Sequence, residues 1–181
     1  LDIEKFISEI NHKYPTISKK GFATDAMIKN TEVRIGHKLP ESYKTFLKNF
    51  SNGMSFWNSE YIYSSEELGF ESLKYPLFKY VKIIGTDKCV SMSNLICFTI
   101  GEAINSSNSC WAFICDGEYP NNEYKVGYIT QSKGNIVEVL DNFEEWIAIL
   151  WKNHDIKEIN SVFHILHNSW DLKETLWSLD W

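Results

Sequence analysis

The 181-residue chain has no apolar run of the roughly eighteen positions needed to span a bilayer. Its longest uncharged stretches, Cys89 to Gly101 and Ala103 to Cys115, are broken by Ser and Asn, which argues against an integral membrane protein. Basic charge is scarce: 18 Lys and Arg, with Arg34 the single arginine, face 24 Asp and Glu, for a net charge of −6. A nucleic-acid binder needs a basic footprint to neutralise phosphates, so that class is not expected. The four cysteines, Cys89, Cys97, Cys110 and Cys115, lack the CxxC spacing of a redox or zinc site, and buried thiols are the expectation. GxSxG, HExxH and glycine-rich phosphate-loop patterns are also missing, so no nucleophile elbow, zincin site or nucleotide cradle is expected. Neither an enzyme nor a cofactor is supported. The opening residues show no basic segment followed by an apolar one, and a reducing cytoplasm is the expected compartment.

Apolar side chain is plentiful, at 44% of residues with 15% aromatic, enough for one core of ordinary size. Charge is uneven. Residues 1–53 carry nine basic and six acidic groups, 54–124 four and nine, and 125–181 five and nine, so the acidity lies beyond residue 53. The near-absence of arginine, with many Ile and Asn, points to an AT-rich bacterial gene.

Ile3, Phe6, Ile7 and Ile10 recur at helical spacing behind Asp2, a suitable N-cap, and Pro15 stops that helix. A second helix is expected over 25–35, with Ile28, Thr31 and Ile35 on one face and Gly36 in the left-handed C-terminal position. A third begins at Pro40, its first helical position, and carries Tyr43, Phe46, Leu47 and Phe50 to the Asn52-Gly53 turn. The period then shortens to two. Short strands are expected at 54–57 and 61–63, with a capped turn at Ser64 to Glu67; 70–90 gives no clear pattern. The clearer strands are 95–100, 110–115, 126–130 and 136–140; the first two are expected at the centre of the sheet, and in 110–115 both faces are apolar, as a strand covered on both sides requires. Asp141-x-x-Glu144, Asp155-x-x-Glu158 and Asp171-x-x-Glu174 read as capping boxes, each opening an apolar stripe. The expected class is α+β: a largely antiparallel sheet of four to six strands flanked by helices, in a single domain over 1–181.

The ordered run Ile28, Thr31-Glu32, Ile35-Gly36, Leu39-Pro40, Tyr43, Phe46-Leu47, Phe50 and Asn52-Gly53 resembles the N-terminal signature of the SUKH superfamily. Phe98-x-Ile100-Gly101, the strand from Trp111 to Asp116, and Leu140-x-x-Phe143-Glu144-Glu145-Trp146 are similar to its later landmarks in the right order. The resemblance covers about 24–151, with 152–181 as a helical extension; Thr31 stands where an apolar residue is usual. It implies a mixed sheet flanked by helices. For most bacterial members it implies an immunity protein that neutralises a cognate toxin, and for eukaryotic relatives a regulator of cell-wall assembly. The residues themselves have a local reading: Gly36 and Gly53 permit tight turns, and Glu32 caps or pairs nearby.

Two features suggest a partner. Trp57, Glu60, Tyr61, Glu66, Glu67, Glu71, Asp116, Glu118, Tyr119 and Glu123 mix aromatics with carboxylates in loops and strand ends, the composition of a surface that meets a basic protein. A solvated acidic surface is the plainer alternative. If the partner is a toxic nuclease, its phosphate-binding site is basic, and an acidic inhibitor gains association rate by steering. A scaffold domain without a toxin is the rival reading. In the extension, Ile159, Val162, Phe163 and Leu166 form a stripe and Trp170, Trp177 and Trp181 follow it, apolar surface that this chain or a second copy has to cover. His154, His164 and His167 have a spacing that permits a metal, but a solvated or packing role is the expectation, and no metal is assigned.

Overall fold

The structure is a computed structural model that describes residues 2–56, 60–69, 79–101, 110–117, 119–130 and 135–152. Helix α1 (Ile3–Lys13) starts where the Asp2 carboxylate accepts from the Lys5 amide at 2.7 Å, and it buries Ile3, Phe6 and Ile10. Helix α2 (Asp25–Ile35) is capped by Thr24 and closes on Gly36 at φ 74°. Helix α3 (Glu41–Asn49) begins one residue later than expected. Pro40 sits at its N-cap and supplies no side-chain bond; the Glu123 carboxylate does so instead, accepting from the Ser42 amide at 2.8 Å and its hydroxyl at 2.7 Å.

The strands are β1 (Met54–Phe56), β2 (Glu60–Ile62), β3 (Tyr80–Ile83), β4 (Cys89–Ser91), β5 (Leu95–Cys97), β6 (Thr99–Gly101), β7 (Cys110–Ile114), β8 (Lys125–Ile129) and β9 (Asn135–Leu140), followed by helix α4 (Phe143–Lys152). They form two sheets. One has three strands in the order β1-β2-β6; the other has six, β4-β3-β9-β8-β7-β5, antiparallel except for β3 beside β9. The α+β class and the largely antiparallel sheet stand as expected.

Three local expectations are corrected. The apolar run over 95–100 is not one central strand: it divides at Phe98 into β5, an edge of the six-stranded sheet, and β6, which pairs with β2. Phe98 is the pivot. Its amide bonds the Trp111 carbonyl at 2.9 Å while its carbonyl accepts from the Tyr63 amide at 2.8 Å, so successive groups of one residue belong to different partners. The capping box of α4 is shifted by one residue. Asn142 accepts from the Glu145 amide and Glu145 returns to the Asp141 amide, which frees Glu144 to accept from the Ile3 amide at 2.9 Å. Cys89 lies exposed on β4, while Cys97, Cys110 and Cys115 are buried.

The β3–β4 hairpin falls in the stretch without a sequence pattern. Only Val81 and Val90 of it are fully buried, too few to set a period. In β7 every residue is buried. Trp111 and Phe113 face the helices: Phe113 stacks on Phe98 at 4.4 Å and meets Tyr43 edge-on at 5.1 Å, and Trp111 reaches Tyr128 and Trp146. Helices α1, α3 and α4 pack on one another over this face, joined by Phe6, Phe46, Phe50 and Phe143. Fully burying each such ring contributes about 1.5–3 kcal/mol. The expected strand ends at Trp57 and helices over 156–167 and beyond 171 lie outside the described residues.

Candidate partner-binding site

Helices α1, α3 and α4 begin at one place, and their N-termini open onto a cleft of about 1400 Å³. Ile83, Ile114 and Ile136 of the six-stranded sheet form its apolar part. Acidic residues are favoured in the first turn of a helix, where the peptide dipoles sum to about half a positive charge. Three such starts accordingly deliver Asp2, Glu4, Glu41, Asp141 and Glu144 to the rim, and strands and turns add Asp116, Glu123 and Glu138. Only Lys88 and Lys125 oppose these eight carboxylates. The three dipoles together offer roughly 1.5 positive charges, well short of the excess of six, so the cleft is negative.

Some of this charge also holds the fold. Glu144 ties the start of α4 to that of α1, and Glu123 ties the turn before β8 to α3. Burial pushes the Glu123 carboxyl up, and repulsion from Glu144 and Glu41 adds to it; the Ser42 hydrogen bonds offset only part. Tyr119 donates to the Leu39 carbonyl at 2.5 Å, and its ring lies tilted against that of Tyr124 at 4.4 Å. Burial, then the nearby Glu41 and Glu123, raise its hydroxyl well above the tyrosine range. Asp116 pairs with Lys88 at 3.5 Å.

The remaining candidates gather elsewhere. Tyr61, Glu66 and Glu67 lie on β2 and the turn after it, and none lines the cleft. The Tyr61 hydroxyl donates to Glu67 at 2.7 Å and accepts from Lys20, and Glu67 also accepts from the Ser64 amide at 2.8 Å. Burial alone would raise the Glu67 carboxyl, but the Ser64, Tyr61 and Lys20 interactions outweigh it and hold the group below the usual range. Glu66 is exposed, and its backbone carbonyl, with those of Ser65 and Leu68, is gripped by the Arg34 guanidinium. Thr31, the departure from the family pattern, donates to the Ser65 carbonyl at 2.7 Å in the same buried seam. The Glu60 backbone pairs with Gly101; Trp57, Glu71 and Glu118 lie outside the described residues.

Of the ten sequence candidates, therefore, Asp116 and Glu123 share the cleft. Asp2, Glu4, Glu41, Glu138, Asp141 and Glu144 had no site role in the sequence reading. Apart from Glu138, which lies on β9, their only signal was a place at a helix start, and nothing in a linear pattern shows that three helix starts converge. Among the described residues, no group of three or more His, Cys, Asp or Glu side chains is placed to hold a metal ion, and no helix is long and apolar enough to cross a membrane.

A mixed sheet with helices on the face of its central strand, with an acidic cleft where three of those helices begin, defines an α+β domain. The chain belongs to the SMI1 / KNR4 family (SUKH-1), whose profile matches residues 23–149, over two-thirds of its length. Domains of this family serve in general as immunity or regulatory modules without catalysis. None of the curated proteins matches the chain.

Proposed function

We propose that the chain is a non-enzymatic immunity protein that binds a basic protein toxin, a nuclease being the favoured class, in the cytoplasm of the producing cell or its siblings. The observation that supports this most is the cleft, where eight carboxylates meet two lysines. An acidic surface of this kind accelerates encounter with a basic active site and then occludes it. The exposed Glu66, on the turn after β2, is a second, smaller place for contact.

The test is co-expression with the product of the adjacent gene. A product that is toxic alone and harmless with this protein supports the reading; the absence of a toxic neighbour moves it to a scaffold domain. With the partner in hand, the triple variant Glu4→Lys, Glu41→Lys and Asp141→Lys addresses the cleft without touching Glu123 or Glu144. It is expected to lower the association rate about tenfold or more at low ionic strength, with a smaller effect in high salt. An unchanged rate at both salts would place the interface elsewhere.

A further inference from the structure

The Sγ atoms of Cys97 and Cys110 stand 2.9 Å apart, thirteen positions apart in sequence, inside the core. Strand β5 pairs with β7 so that Cys97 faces Ala112, which puts Cys110 diagonally across on the same face of the sheet. Disulfides need sulfurs at about 2.05 Å, so a gap of less than about 1 Å separates these sulfurs from bonding distance. The other cysteines are badly placed for either. Cys115 has the opposite parity on the β7 line, and Cys89 lies on β4, at the far edge of the six-stranded sheet from Cys97. Between the pair lies the stretch that leaves one sheet at Phe98 and joins the other as β6.

We propose that Cys97 and Cys110 form an oxidation site: a peroxide converts the two thiols to an intramolecular disulfide that clips the crossing between the two sheets. Both thiols are buried; in this scheme Cys110 reacts first. Its thiolate attacks one oxygen of hydrogen peroxide, the O–O bond breaks and water leaves after proton transfer, giving a sulfenic acid. The Cys97 sulfur then attacks the Cys110 sulfur and the second oxygen leaves as water. Two thiols and one peroxide become one disulfide and two waters. The bond closes a loop of about fourteen residues, which on the chain-entropy account raises the melting temperature by roughly 5–10 °C. This inference is independent of the toxin reading.

The experiment treats the reduced full chain with hydrogen peroxide, alkylates it under denaturing conditions and maps the peptides without reductant. The expected product is a Cys97–Cys110 cross-link lacking both thiol hydrogens, with a higher melting temperature that dithiothreitol reverses. Cys89→Ala should retain both effects, and Cys110→Ala should lose both. Should Cys110→Ala fail to fold, the peptide map of the unaltered chain decides alone. Alkylation of both thiols after treatment, a cross-link through Cys89 or Cys115, or sulfinic acid at Cys110 without a cross-link would each overturn the proposal.

Discussion

Glu32 and Glu123 both hold a neighbouring helix start, yet they titrate in opposite directions. Glu32 accepts from the Leu39 amide at 2.9 Å and pairs with Lys38 and Lys44 at 3.0 and 3.1 Å. Burial alone would raise it, but these partners win and its carboxyl lies below the usual range. A lowered acid contributes stability above its unfolded pKa, and that contribution is lost as pH falls through the folded value. Glu123 is raised, so its contribution is present below the unfolded value of 4.5 and is lost as pH rises through the folded one. Melting temperature measured against pH should therefore separate them. The deficit of Glu32→Gln relative to the parent is expected to shrink as pH drops below about 4.5. The balance between Glu123→Gln and the parent should shift toward the variant as pH climbs above that value. Difference curves moving the same way would refute the assignment. At this scale much was legible: Asp2 as a cap, Gly36 as a left-handed stop and Glu32 as a local tether are sequence readings that the structure repeats. Thr31 was not, because a lone hydroxyl on an apolar face acquires meaning only from the Ser65 carbonyl opposite it.

Among the elements, the turn at Asn52-Gly53 carries more than its sequence pattern suggests. The Asn52 side chain accepts from the Ser65 amide at 2.8 Å, and Gly53, at φ 88°, lies so close to the next hairpin arm that a Cβ would stand 2.8 Å from the Ser64 nitrogen. Gly36 shares the positive φ but has open space around it. Alanine at Gly36 should cost about 1 kcal/mol, whereas Gly53→Ala adds a backbone collision and should cost at least roughly twice that. Chemical denaturation of the two variants checks the ranking, and equal losses would mean that the turn can move away from Ser64. The helices were readable because each has an apolar stripe and a marked start. Strand boundaries were readable too, except where burial gave no period, as in β3 and β4. The division at Phe98 was hidden because an unbroken apolar run looks the same whether its hydrogen bonds go to one sheet or two.

For the whole molecule, the acidic cleft is the feature least visible in the sequence, since its carboxylates come from positions as far apart as Asp2 and Glu144. The last described turn is firmly docked. Trp151 meets Phe6 edge-on at 5.6 Å and donates to Glu9 at 2.8 Å. Truncation after Asn153 is accordingly expected to lower solubility or melting temperature markedly, because a stripe of four large apolar side chains is costly to leave in water. Sedimentation of the intact chain then separates cover by the same chain from cover by a second copy. A truncated protein as stable as its parent would make that stripe a partner surface.

The one parallel strand pair among the described residues, β3 beside β9, also constrains the order of assembly. Lys82 lies opposite Asn135 and Ile83 opposite Ile136, so more than fifty positions separate β3 from its inner neighbour in the chain. Until β9 is made, β3 presents an unpaired edge, and so does β8 on the other half of the sheet. Strand β9 is the staple between a hairpin made early and a meander made late, and a nascent chain stopped short of it carries two open edges available to other chains.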